Sequence, residues 1–297
     1  MSDTSAGRSA AAPPAEPWTH HEADVGGVRL HYVQAGEGPL VVLLHGFPEF
    51  WYGWRRQIPA LAAAGFRVVA ADMRGYNLSD KPEGVDRYRV ELLVEDVAGL
   101  VRHLGAERAH VVGHDWGGVV AWYFAMLRPE RLDRLVVLNA PHPAAFAREI
   151  RKPDQMLRSA YAGFFQLPAV PEAALRAGGF ALLERVFRTG PARPGAFTGE
   201  DVERYKEALA RPGALTAALN YYRAFARREK PEVRPIAAPT LLVWGEKDPH
   251  LVVRLAEGLE EWVPRVRVER LPEASHWVAA DEPERVSGLI AGFLREG

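Results

Sequence analysis

The stretch Val111-Val112-Gly113-His114-Asp115-Trp116-Gly117-Gly118 puts an acidic side chain between an apolar run ending at Gly113 and a helical pattern beginning near Trp116. Small residues stand two before and two after Asp115. This is the spacing of a nucleophile elbow, where a Cβ at either glycine would clash with the neighbouring strand or helix. A helix N-terminus stabilises the negative charge. An Asp at a helix start also serves as an ordinary N-cap. The strand before it and the flanking glycines favour the elbow. A carboxylate nucleophile suits attack on saturated carbon. A serine would leave an ether that water does not readily cleave, whereas a carboxylate leaves an alkyl ester that is hydrolysed at its carbonyl carbon.

Three further stretches fit that chemistry. His45-Gly46-Phe47-Pro48-Glu49 follows an apolar run and can supply a second oxyanion donor, so the backbone N–H groups of Phe47 and Trp116 are expected to form an oxyanion hole. Pro48 can hold a tight turn through a cis peptide. Trp244-Gly245-Glu246-Lys247-Asp248 follows another apolar run, and Ser275-His276-Trp277 follows the last. Chain order is then nucleophile, acid, histidine: Asp115, Asp248, His276. All three follow strand ends, where open α/β sheets build their sites. Cysteine is absent, so no thiol can compete for the role of nucleophile.

The elements that must carry these residues are legible as alternating patterns. Strands are expected over residues 28–34, 40–44, 67–71, 109–113, 134–138, 239–245 and 266–271. Several are apolar at successive positions, as strands buried on both faces require. Helices are expected over 54–64, 90–104, 117–127, 251–262 and 281–294, the last with Asp281 as N-cap and Pro283 in the first turn. Strand–helix alternation implies an α/β fold with a mostly parallel sheet. Strand signals vanish between residues 141 and 234, where helical patches lie around 155–165, 172–187, 200–210 and 215–226. The expected organisation is a tail over 1–17, a first core segment over 18–142, a helical cap over 143–233 and a second core segment over 234–297.

The chain of 297 residues has 37 Lys and Arg against 38 Asp and Glu, a net charge of −1. That balance gives no footprint for nucleic acid or a membrane. The start of the chain has no apolar secretory segment, so a cytoplasmic location is expected. The basic run of residues 223–230 reads as the solvated end of a helix. No phosphate-loop, dinucleotide or zinc-protease motif occurs, so no cofactor and no metal are expected.

The blocks HGFPEFWYGWR, DMRGYNLSDKP, GHDWGG, GEKD and SHW together resemble the α/β-hydrolase superfamily, and within it the soluble epoxide hydrolase family. The resemblance runs from about residue 20 to the end. It implies a mostly parallel eight-stranded sheet with a helical cap inserted after the sixth strand. It also implies two cap tyrosines that donate to the epoxide oxygen, matched by Tyr161 and by Tyr222, with Tyr221 its neighbouring competitor. Asn77 stands where many relatives have Gly, which suits a left-handed turn. The implied activity is conversion of a small apolar epoxide to a vicinal diol, an ether-bond hydrolase reaction. His45, Pro48, Trp51, Phe164, Phe165, Tyr221 and Trp277 are expected to line the pocket. Haloalkane dehalogenation uses the same nucleophile and stands as the alternative. A non-catalytic ligand-binding protein on the same scaffold is the alternative of another class. A homodimer is left open.

Overall fold

Leu40–Leu44 is buried at all five positions, because successive side chains serve opposite faces of a sheet covered on both sides. Leu40, Val42 and Leu44 join one apolar cluster, while Val41 and Leu43 join another. In this computed structural model, residues 16–227 and 229–296 are described. The expected tail lies outside them except for its last two residues.

Eight strands form the sheet: β1 (Thr19–Asp24), β2 (Arg29–Ala35), β3 (Leu40–Leu44), β4 (Arg67–Ala71), β5 (Ala109–His114), β6 (Leu132–Leu138), β7 (Thr240–Gly245) and β8 (Val266–Leu271). Their order is β1-β2-β4-β3-β5-β6-β7-β8. The pairs β1–β2 and β2–β4 are antiparallel and the rest parallel. The registers Leu44↔Gly113, His114↔Leu138, Leu138↔Val243 and Gly245↔Leu271 bring the C-terminal ends of the central strands to one edge. Ile58 of α1 (Gln57–Ala63) and Ile290 of α11 (Pro283–Arg295) join the apolar cluster of one face. Leu93 of α2 (Val90–His103) and Trp122 of α3 (Trp116–Leu127) join that of the other.

Between β6 and β7 the chain is helical: α4 (Pro143–Glu149), α5 (Pro153–Arg158), α6 (Ala160–Phe164), α7 (Val170–Thr189), α8 (Gly199–Ala210) and α9 (Ala214–Arg227). α7 is interrupted at Gly178, Gly179 and Phe180, all at positive φ.

Three expectations change. β1 is an additional strand; only Ala23 of its six residues is buried, so it carries no apolar run to announce it. The helix expected over 251–262 is reduced to a 3-10 turn, Val253–Ala256. The amides of His250 and Leu251 are bound to the Asp248 carboxylate and that of Val252 to Gln155, so the chain ahead of the turn is committed elsewhere. Asp281 ends α10 (Val278–Asp281), and Glu282 is the N-cap of α11, with Pro283 in its first turn as expected.

Candidate active site

The turn between β5 and α3 leaves no room for side chains beside Asp115. A Cβ at Gly113 would lie 2.3 Å from the Gly117 carbonyl oxygen, and one at Gly117 would lie 2.1 Å from that of Leu44. A Cβ at Gly46 would meet the Cβ of Asp115 at 2.4 Å. Asp115 itself sits at φ 50°, ψ −119°, a conformation uncommon for a residue with a side chain. Its Oδ1 accepts a hydrogen bond from Phe47 N–H at 2.8 Å, just before the cis Phe47–Pro48 peptide. Trp116 opens α3, so its N–H belongs to the first turn, whose amides have no partner within the helix. Asp115 Oδ2 faces His276 Nε2 at 3.6 Å.

The other imidazole nitrogen, Nδ1, lies 2.7 Å from Asp248 Oδ2, and both groups are buried. Asp248 is held from several sides. Oδ1 takes the amides of His250 (2.7 Å) and Leu251 (3.0 Å), and Oδ2 takes Asn139 Nδ2 at 2.8 Å. Burial alone would push the Asp248 carboxyl up; the His276 charge and these donors outweigh it and hold it below its ordinary value. Burial likewise opposes ionisation of Asp115, but His276, His114 and the Phe47 amide hold it low. For His276, burial disfavours the charge, yet the two carboxylates push its pKa up to about 10.

Tyr222 on α9 is buried, with its ring 4.9 Å from Trp116 and 5.7 Å from Phe47. Tyr161 on α6 lies 6.0 Å from it, centroid to centroid, and is 36% exposed. Phe165 packs against both, at 5.6 Å and 5.0 Å. Burial raises both phenols above their ordinary values, with the Asp115 charge adding to each; a hydrogen bond between them opposes the rise at Tyr161. Phe47, Trp116, Tyr161, Phe165 and Tyr222 therefore form one aromatic cluster around the Asp115 carboxylate.

The structure brings Asp115, Asp248, His276, Phe47, Trp116, Tyr161, Tyr222 and Phe165 together. Pro48 is buried in the turn after Phe47, and Phe164 is 37% exposed, 6.1 Å from Phe165. Four expected pocket residues sit elsewhere. His45 is spent on two backbone bonds, to Gly46 O and from Met73 N. Trp51 packs among Trp18, His20, Phe50 and Tyr52, because β1 covers it. Tyr221 donates to Arg74 O at 2.7 Å and packs edge-on into the core, leaving Tyr222 as the phenol beside Tyr161 and Trp116. Trp277 packs against Phe187 and Phe197 beneath α7.

Several contributors escaped the sequence reading. Asn139, at φ 39° after β6, bridges Gly245 and Asp248; a polar residue at a strand end beside the elbow was the available signal. Glu49 and His114, both inside the conspicuous motifs, pair at 3.1 Å, and His114 Nε2 lies 2.9 Å from His276 O. Asp281 takes the Ser275 amide and hydroxyl and so fixes the turn before His276. His250 lies edge-on to both His276 and Tyr161, each at 5.4 Å. Its pKa is lowered by burial and by the His276 charge. Arg223, expected in solvent, is buried. It forms a two-pronged ion pair with Glu172 (2.7 and 3.0 Å) and donates to the carbonyls of Phe165 and Leu167.

Residues 39–283 match the alpha/beta hydrolase fold family. The chain is 47% identical over 275 residues to the AB hydrolase superfamily protein YfhM of Bacillus subtilis (strain 168), covering 91% of this chain and 95% of that protein. It is 41% identical over 278 residues to epoxide hydrolase 4 of Mus musculus, covering 91% of this chain and 77% of the relative. Among solved structures, a Bacillus megaterium epoxide hydrolase in complex with an inhibitor superposes with a TM-score of 0.87 at 35% identity, covering 93% of this chain and 100% of that one.

Proposed function

The chain belongs to the epoxide hydrolases of the α/β-hydrolase superfamily, and from that premise we propose that it opens small apolar epoxides through an ester on Asp115. The observation that carries this reading is the pair of phenols, Tyr161 and Tyr222, clustered with Phe47 and Trp116 around a carboxylate at the elbow. The α4–α9 insertion serves as the cap that supplies both phenols.

The carboxylate is oriented before substrate arrives. The Phe47 amide occupies Oδ1, so Oδ2 attacks. A new C–O bond forms to one ring carbon as that carbon's bond to the ring oxygen breaks. Tyr161 or Tyr222 protonates the departing oxygen. Burial favours the neutral, donating form of both phenols.

Alkylation also prepares the second step. Asp115 loses its charge on becoming an ester, and with it goes one of the two carboxylates that hold His276 protonated. The imidazolium returns its proton toward the tyrosinate and becomes the base, still oriented by Asp248. It removes a proton from water, and the hydroxide attacks the Asp115 carbonyl carbon. Charge developing on Oδ1 meets the Phe47 and Trp116 amides, donors worth roughly 3–4 kcal/mol each in comparable sites. Collapse expels the diol oxygen, which takes the proton back from His276; the proton that the hydroxide left on the Asp115 carboxyl then passes to His276, restoring both the carboxylate and the imidazolium.

Turnover of styrene oxide and of a brominated alkane, followed by diol and halide analysis, tests the reaction class. Diol from the epoxide is the expected product. Halide release with no diol would sink the epoxide reading in favour of dehalogenation, and binding without turnover across an epoxide panel would favour a ligand-binding role.

A further inference from the structure

Among the described residues eight large apolar side chains are exposed, and seven of them fall within residues 156–182. Leu157 is 78% exposed, Met156 55% and Val170 51%, with Phe164, Leu167 and Leu182 beside them in the chain. The seventh is Tyr161, whose ring also touches Tyr222 and His250. Tyr161 therefore joins the apolar segment to the aromatic cluster around Asp115. Exposed apolar side chains scattered singly need no explanation, but such a concentration in one short segment does.

The same segment is basic. With the two residues just before α5 included, Arg151 to Leu182 holds four Lys and Arg against two Asp and Glu, a net charge of +2 in a chain whose total is −1. Arg151, Lys152, Arg158 and Arg176 are exposed there. The near-neutral total, from which no membrane contact is expected, hides this asymmetry. Charge also separates two candidate occupants. In a symmetric pair of chains each basic face would meet its own copy, and like charges repel. A surface of anionic lipid headgroups attracts it, while apolar side chains enter the boundary below.

We propose that the face formed by residues 151–182 docks peripherally on an anionic lipid surface, with the active site turned toward the lipid. Among the described residues no helix is long and apolar enough to cross a membrane. Docking itself is independent of the reaction. Its benefit, delivery of apolar epoxides that partition into lipid, rests on the function proposed above.

The test is co-sedimentation of the full chain with vesicles of phosphatidylcholine, alone or with about 30 mol% phosphatidylglycerol. Binding to the anionic vesicles should exceed that to the neutral ones about tenfold and collapse in about 1 M salt, where the Debye length is about 3 Å. The double variants Met156→Glu/Leu157→Glu and Arg151→Glu/Lys152→Glu should each lower binding about tenfold while leaving turnover of a small water-soluble epoxide unchanged. Absence of binding, indifference to lipid charge, or full binding by both variants overturns the proposal. So does a dimer, seen by light scattering, that Met156→Glu/Leu157→Glu converts to monomer. Vesicle binding without turnover of any epoxide would leave the docking standing and remove the epoxide reading; turnover without binding would do the reverse.

Discussion

Asp248 and Tyr161 belong to one site but are held by different means. Asp248 follows a strand buried at every position, and four donors converge on its carboxylate: His276, Asn139 and the amides of His250 and Leu251. Tyr161 lies in a five-residue helix, Ala160–Phe164, none of whose residues is buried. Its surroundings are fixed by side-chain bonds to α9 and to the loop after β7. Arg223 grips Phe165 O, Leu167 O and Glu172, and Gln166 donates to Tyr222 O. The core thus fixes its residues by backbone architecture, and the insertion fixes its residues by side-chain bonds, the Arg223–Glu172 pair on one side and those of Gln155 and Arg158 to the carbonyls of His250 and Asp248 on the other. The difference maps onto the proposed chemistry. Ester hydrolysis depends on the core, whereas ring opening needs core and insertion together. Disrupting the two regions should therefore leave different kinetic traces.

Removing core groups should have the largest effects. Asp115→Asn should abolish ester formation and cost on the order of 10⁴-fold or more in turnover. His276→Gln should form the ester but fail to hydrolyse it, so intact-mass analysis should show the enzyme plus one epoxide. An unmodified mass in His276→Gln, after incubation with an epoxide the native protein turns over, would break the covalent scheme. Tyr161→Phe and Tyr222→Phe should each slow the alkylation burst about 10²-fold, the usual scale for loss of a proton donor, and leave hydrolysis of the preformed ester near its native rate. Equal losses in both steps would erase the division between the regions.

Arg223 tests whether the insertion's ion pair positions the phenols or merely stabilises the fold. Arg223→Ala leaves Glu172 without its buried partner, which costs stability as well. The readout is therefore the split between steps: alkylation about tenfold slower, hydrolysis unchanged, and partial recovery with added guanidinium. A loss shared by both steps, with no rescue, would assign Arg223 to the fold alone.

The same contrast explains what was legible in the sequence. The elbow, the acid and the histidine were visible because their local geometry demands particular residues: glycine at 113 and 117, apolar runs before 115 and 248. The sheet was visible where strands are apolar or alternate, as at the edge strand β8 with Val266, Val268 and Leu271, and invisible at the other edge, β1, whose THHEAD does neither. In the insertion the helices were legible from periodicity, but their orientation was not. Tyr221 and Tyr222 are adjacent on α9 and chemically identical, so only packing separates the one bonded to Arg74 O from the one facing Asp115. Arg223 lay in a basic run that reads as solvent-facing, and its buried partner is 51 residues away. Long-range ion pairs of this kind leave no local pattern.

Between pH about 6.5 and 10, above the carboxylate range and below that of the raised phenols, stability should report the core. His276 has its pKa raised from 6.5 to about 10. Its charged form therefore stabilises the fold fully below about 6.5, and that contribution is lost as pH rises through about 10. Asp115 and Asp248 are shifted down, so their contribution is present above the ordinary carboxylate range and lost as pH falls through their folded values. Melting temperature should accordingly fall on the alkaline side in the native protein. His276→Gln should flatten that fall, while Tyr161→Phe should retain it. A native alkaline slope in His276→Gln would mean that another group carries it.

The smallest effect should come from the residue beside the largest one in the insertion. Tyr221→Phe removes one buried hydrogen bond, to Arg74 O, and strands that carbonyl, a loss of about 1–2 kcal/mol of stability. The ring stays in its stack with Tyr76, Tyr88 and Trp116, so α9 keeps its rotation. Alkylation should then remain within about twofold of native, against about 10²-fold for Tyr222→Phe next to it. The pair is informative because both substitutions remove a single oxygen from the same helix. If Tyr221→Phe slowed ring opening as much as Tyr222→Phe, the helix would have to turn by roughly the 100° that separates neighbouring side chains at 3.6 residues per turn. The Arg223 latch, one residue further on, forbids that rotation while its contacts to Phe165 and Glu172 hold.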